Sequence, residues 1–264
     1  MKVANAKQAQ EDQDYHRVLC EFLFQLADDE LTLGHRDSEW LGLSPDIEGD
    51  VAFSSIAQDE VGHAVFYFDL LHELGEKNPD QLAFARPLTE RRNATLLERE
   101  NGDFAYSIVR HYLYDVFDSC RLEAIEQSSY QPLAQGAIKI RREEYYHRLH
   151  MSAYLNRLGQ AGGEAKKRLE KAIHDIWPEI GGLFCWGEYE NKLFEYGIIS
   201  ISVKELQERW IMQVKSTLLK AGLPWPGDWP KVKRDGRKGE HSPDLAKLLS
   251  TMSEVYQSDP SARW

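Results

Sequence analysis

Residues 58–64 read Gln58-Asp59-Glu60-Val61-Gly62-His63-Ala64, and they place a carboxylate three positions before an imidazole in a segment otherwise apolar at Phe53, Ile56, Phe66 and Leu70. Positions i and i+3 share one face of a helix, so Glu60 and His63 lie on the same side as the apolar stripe. They are either polar residues on a solvated face or half of a grip on a metal ion.

The stretch has a twin. Residues 142–147 read Arg142-Glu143-Glu144-Tyr145-Tyr146-His147, again an acid followed directly by Glu-x-x-His. Each motif also has a lone carboxylate upstream on another apolar stripe. Glu30 precedes Glu60 by 30 positions and Asp115 precedes Glu144 by 29. The stripes themselves are helical in period: Leu19, Leu23, Leu26, Glu30, Leu33; then Phe53, Ile56, Glu60, His63, Tyr67, Leu70; then Phe104, Ile108, Tyr112, Asp115, Leu122; then Ile140, Glu144, His147, Met151, Tyr154. The spacing predicts helices over about 15–41, 46–74, 102–128 and 131–158, with Ser44-Pro45 breaking the first from the second. Pro79 and Pro87 mark 77–100 as a long crossover. An all-α bundle of the ferritin-like type follows, in one domain over 1–264. Its core spans about 15–160, and further helices at 164–176, 203–221 and 243–257 accompany a Pro- and Gly-rich arm at 222–238. Residues 197–203, GIISISV, are ambiguous between strand and helix.

Two Glu-x-x-His pairs and two single acids form the ligand layout of di-iron and di-manganese carboxylate bundles. Glu30, Glu60, His63, Asp115, Glu144 and His147 are therefore the expected ligands, with Asp115 a shorter variant. Four carboxylates and two imidazoles suit iron, with manganese the alternative. Asp59 and Glu143 are placed to accept the outer N–H of the imidazoles. Asp28 and Asp29 fit the stripe less well than Glu30, while Glu123 and Glu126 lie too near the turn before the fourth helix. Tyr67, Tyr112, Tyr114, Tyr145 and Tyr146 read as aromatic core.

Composition limits the rest. The 264 residues are 42% hydrophobic and carry a net charge of -11, which excludes a nucleic-acid footprint and supplies a sizeable core. Neither a signal peptide nor a membrane span is visible, and Cys20, Cys120 and Cys185 form no CxxC pair, so a cytoplasmic protein with free thiols is expected. Lys231, Lys233, Arg234, Arg237 and Lys238 make a basic run that reads equally as a solvated, charged arm or as a surface for docking an acidic partner or the phosphates of a ligand such as CoA.

The stretches LGHRDSEWLGLSPDIEGDVAFSSIAQDEVGHA, ENGDFAYSIVRHYLYD and GRKGEHSPDLAKLLSTM resemble the PaaC-type subunits of the phenylacetyl-CoA ring epoxidase, and the likeness runs from about residue 15 to Trp264. The resemblance implies a multicomponent monooxygenase of phenylacetate catabolism acting on phenylacetyl-CoA. Its partners would be a catalytic PaaA-type subunit, other epoxidase subunits and a flavin and iron–sulfur reductase drawing on NADPH, in a hetero-oligomer or with a homodimer. PaaC-type subunits are usually called structural, with degraded ligands; this sequence departs from them in keeping a full set.

Overall fold

The computed structural model describes residues 2–262; Met1, Arg263 and Trp264, at the ends of the expected unit, lie outside the described residues. Four long helices dominate: α1 (Gln13–Ser38), α2 (Ile47–Glu73), α3 (Phe104–Ile125) and α4 (Gln131–Ala161). Three of them start on an aspartate that accepts backbone N–H groups of the first turn. Asp12 takes those of Asp14 and Tyr15, Asp46 that of Gly49, and Asp103 that of Tyr106. These donors have no partner inside the helix, so each cap stabilises its start by about 1 kcal/mol. α4 instead opens with Pro132, whose missing N–H is not needed there.

α1 packs along α2 and α3 along α4, and α2 faces α4 across the bundle. The two hairpins are joined by a crossover carrying the short helices Pro79–Phe84 and Thr95–Glu98. This is an all-α, ferritin-like bundle, and no strand is present among the described residues. The ambiguous 197–203 stretch is a buried turn, where Ile198 and Ile199 enter the core and Ser202 caps the next helix.

Beyond the bundle lie α5 (Gly163–Ile176), a 3-10 run at Trp177–Phe184, α6 (Val203–Lys220) and α7 (Pro243–Met252). The arm after Gly222 is packed: Trp225 meets Trp177 edge-on at 5.0 Å, and Trp229 stacks on Phe184 at 5.4 Å between ring centroids. Fully buried Trp210 sits among these rings and donates its indole N–H to the Leu113 carbonyl at 2.9 Å. One apolar cluster therefore runs from Leu26 and Phe117 in the bundle to Trp177, Trp210 and Leu223 beyond it.

Candidate metal centre

α1 and α2 approach closely at mid-height because Gly34 has no side chain. A Cβ there would lie 2.9 Å from the Cβ of Glu60 and 3.2 Å from the Ala57 carbonyl. That approach brings Glu30 and Glu60 together. One ligand atom each from Glu30, Glu60, His63 and Glu144 lie within 4.8 Å of one another, and all four residues are buried. His147 joins them, its Nδ1 3.3 Å from Glu60 Oε1 and 3.1 Å from Glu144 Oε1. The two imidazoles stand 6.3 Å apart.

Both rings present Nδ1 inward. Their Nε2 atoms point outward to the acids beside the motifs, and they do so crosswise. His63 on α2 donates to Glu143 of α4 at 2.9 Å, and His147 on α4 donates to Asp59 of α2 at 3.2 Å. A carboxylate on the outer nitrogen fixes the tautomer and leaves the inner nitrogen free for a cation. Asp59 and Glu143 keep 41% and 34% of their side chains in solvent, so these charges are inexpensive to hold.

Asp115 is placed differently from the other acids. Its Oδ1 is held by His111 Nδ1 at 2.5 Å, and the opposite nitrogen of His111 bonds Asp37 at 2.9 Å. Oδ2 of Asp115 has no partner. Burial alone would lower His111, but Asp115 and Asp37 override it and hold the ring well above its ordinary value, as an imidazolium. Asp37 and His111 were not expected from the sequence, although Asp37 lies two turns after Glu30 and His111 one turn before Asp115. Tyr114, expected to fill the core, does more: its hydroxyl donates to Glu30 Oε1 at 2.7 Å.

A cation fits this donor set. Glu30 Oε2, both oxygens of Glu60, His63 Nδ1, Glu144 Oε2 and Asp115 Oδ2 are buried without hydrogen-bond partners. Leaving so many polar atoms unsatisfied costs about 1–3 kcal/mol each, and more for charged groups. Four carboxylates would balance two divalent ions. Without ions, protons take that role. Burial and then the nearby Glu60 charge push Glu30 up to about 8. Burial would lower His63, but the carboxylates of Glu30 and Glu60 outweigh it and raise the ring to about 12.

The neighbouring acids have other partners. Asp28 pairs with Arg86 and accepts the Arg92 backbone N–H, while Glu123 and Glu126 pair with Arg209 and Arg141 near the surface. Tyr145 and Tyr146, expected in the core, are instead 52% and 68% exposed, because they fall on the outer face of α4 between Glu144 and His147. The basic run divides. Lys231, Lys233, Arg234 and Lys238 are exposed, and the first three line a cavity of about 150 Å³ with Glu179 and Ser242. Arg237 corrects the docking expectation: it is buried and spends its guanidinium on Asp29, so it has nothing to offer a ligand. Cys20 and Cys120 are free and buried, with burial pushing the thiols up to about 12 and about 11.

The family described as phenylacetic acid catabolic protein matches residues 1–264, and the chain belongs to it. The chain is also 30% identical to the C-type component of the 1,2-phenylacetyl-CoA epoxidase of Escherichia coli (strain K12) over 247 residues, covering 93% of this chain and 99% of that relative. No described helix is long and apolar enough to cross a membrane.

Proposed function

Proceeding from that membership, we propose that the chain is a cytoplasmic subunit of a multicomponent phenylacetyl-CoA ring epoxidase and holds a di-iron carboxylate centre of its own. The ligands are Glu30, Glu60, His63, Asp115, Glu144 and His147, with Asp59 and Glu143 as supports. The observation that carries this reading is the convergence of buried, partnerless oxygens with His63 Nδ1 at one height of the bundle. Such a set has no stable use for a folded protein except to surround positive charge.

When bound, two ferrous ions would supply electrons and open coordination positions for O2 activation. The protein's part is to place and insulate them. Glu143 and Asp59 hold the imidazoles with Nδ1 inward, His111 steadies Asp115, and Tyr114 fixes one oxygen of Glu30 so that the other faces the centre. Buried Phe53, Ile56 and Tyr67 of α2, Ile108 and Tyr112 of α3 and Met151 of α4 keep bulk water out. A cleft of about 480 Å³ between α2 and α4, lined by His63, Phe66, Ile140 and Glu143, is the opening on that side. The proposed partners are a PaaA-type catalytic subunit and the flavin and iron–sulfur reductase, with phenylacetyl-CoA as substrate of the assembly.

A second reading, a scaffold that only stabilises the PaaA-type partner, draws on the exposed apolar side chains Tyr145, Leu149 and Met212 beside a cleft between α4 and α6. Metal analysis of protein from iron-supplemented cells tests the first reading. About two irons per chain are expected, and none in Glu60→Ala with His63→Ala. A folded wild type without metal overturns the centre. Turnover of phenylacetyl-CoA with the partner and reductase then separates the readings: ligand substitutions that stop turnover in an intact complex favour catalysis, and unchanged turnover leaves the scaffold.

A further inference from the structure

The arm and the metal centre are connected. Residues 235–242 lie flat on the crossover because two glycines allow it. A Cβ on Gly236 would sit 2.1 Å from the Asn93 carbonyl oxygen, and one on Gly239 2.4 Å from that of Thr89. This contact drives Arg237 inward, where only 3% of the residue remains exposed.

Inside, its donors are almost fully used. Nη1 and Nη2 grip the two oxygens of Asp29 at 2.7 and 2.9 Å, Nη1 also reaches the Arg92 carbonyl at 2.6 Å, and Nε donates to the Cys185 carbonyl at 3.2 Å. Asp29 accepts a second guanidinium, Arg121 Nη1, at 2.8 Å, and the Ala94 backbone N–H at 2.8 Å. Arg121 continues inward. Its Nε and Nη2 both reach Asp118 Oδ1, at 2.8 and 2.5 Å, and Nη2 also donates to the Tyr114 hydroxyl at 2.8 Å and lies 3.4 Å from Glu30 Oε1. The Tyr114 hydroxyl then donates to that same oxygen.

A single arginine on Asp29 would be enough to anchor the arm. Two are present, and the second has the geometry of a fork between Asp29 and Glu30. With Arg237 occupying both Asp29 oxygens, Arg121 gives Asp29 one arm and keeps the other on Asp118 and Tyr114. Remove Arg237, and the unshielded Asp29 carboxylate draws the whole Arg121 fork onto itself, because bidentate pairing is the preferred guanidinium–carboxylate geometry. Tyr114 would then lose the donor that orients its hydroxyl, and Glu30 Oε1 would be left with that hydroxyl alone.

We propose that Arg237 is a positioning residue for the metal ligand Glu30, acting through Asp29, Arg121 and Tyr114. The inference rests on the metal reading above and assigns the arm a task within it. Holding Glu30 Oε1 from outside leaves Oε2, which has no partner, directed to the ion.

The test compares full-length wild type, Arg237→Met, Arg237→Lys and the arm control His241→Gln, each loaded with Co2+ alone. His241 bonds Glu98 at 2.8 Å and the Arg91 carbonyl at 3.0 Å, so its loss loosens the arm without touching Asp29. Co2+ affinity by competition with a chelator and the visible Co2+ spectrum are read together with melting temperature. Loss of an outer-shell support lowers metal affinity by roughly 10–100-fold, and the Met variant is expected at the lower end of that range, with a shifted spectrum. Lys is expected to restore part of both, and His241→Gln to melt earlier with affinity and spectrum unchanged.

Equal affinity and spectrum in Arg237→Met overturn the inference while leaving the metal reading standing, as does an equal loss in His241→Gln. If the Met variant does not fold, Lys decides: wild-type affinity and spectrum overturn the inference, and an intermediate loss supports it. A wild type that takes up no Co2+ overturns the metal reading and this inference with it.

Discussion

Removing the metal should make the stability of this protein fall as the pH rises. In the metal-free state the centre is held together by protons, and Glu30 is the clearest case. Its carboxyl is pushed from an ordinary 4.5 up to about 8 by burial and by the charge of Glu60. The folded state therefore binds that proton more tightly than the unfolded chain. Stability from this source is fully present below 4.5 and is lost as pH climbs through 8. Asp118 and Asp115, raised by burial to about 7 and about 6, act in the same direction over the same window. So does His63, whose raised value reaches beyond it. His35 and His150, lowered by burial, oppose the trend, but they are only partly buried. Each differentially bound proton changes stability by about 1.4 kcal/mol per pH unit, so Glu30 alone accounts for on the order of 3 kcal/mol between pH 5.5 and 8. For a chain of this size that corresponds to a melting temperature lower by roughly 6–12 °C. The assay is calorimetric or circular-dichroism melting of metal-free and metal-loaded protein at several pH values. Loaded protein should show a much flatter profile, because the ions have displaced the protons. A metal-free profile that is level, or rises, between pH 5.5 and 8 would refute the buried-carboxylate account of the site.

Three further outcomes are expected. Asp59→Asn together with Glu143→Gln should leave the helical content unchanged and weaken metal retention by roughly 10–100-fold, read by chelator competition, since both outer imidazole N–H groups lose a charged acceptor. Gly34→Ala places a methyl 2.9 Å from Glu60 Cβ. It should cost about 1–3 kcal/mol in urea unfolding and lower metal affinity by separating α1 from α2. Trp210→Ala should cost about 3–5 kcal/mol, because it empties the ring cluster that joins α6 and the arm to α3. Limited proteolysis should then cut first after residue 161, with the ligand helices still protected.

The bundle was legible because buried helices must repeat apolar residues at their own period, and nothing in the tertiary structure overrode those stripes. That Glu30, Glu60, His63, Asp115, Glu144 and His147 lie buried on inward faces was legible for the same reason: each interrupts a stripe. What supports them was hidden by the same rule. Asp37 and His111 read as ordinary polar residues between apolar ones, since a pair that satisfies itself across two helices leaves no mark on either helix alone. The basic run misled for a related reason. Five cations close together in sequence look like one surface, but the backbone contact at Gly236 and Gly239 turns Arg237 inward while its neighbours stay in water. Spacing along the chain shows which residues share a helix face; it does not show which loop will be pressed flat against another. Tyr145 and Tyr146 fail differently, lying at the two positions between a Glu and a His that both point in.

Asp28, Asp29 and Glu30 tie the arm, the crossover and the centre to one helix. Consecutive positions on a helix point about 100° apart, so three adjacent buried acids on α1 must find partners in three directions. Asp28 meets Arg86 and the Arg92 backbone N–H of the crossover. Asp29 meets Arg237 of the arm, Arg121 of α3 and the Ala94 backbone N–H. Glu30 meets Tyr114 and faces the centre. Each carboxylate would be strongly destabilising alone, and leaving one uncompensated would cost about 3–5 kcal/mol. A rotation of α1 by one residue would set all three against the wrong neighbours at once. The crossover, the arm and α3 thus fix the rotation of α1 jointly. Parts of the chain that supply no ligand thereby decide that Glu30, and not the acid beside it, reaches the centre.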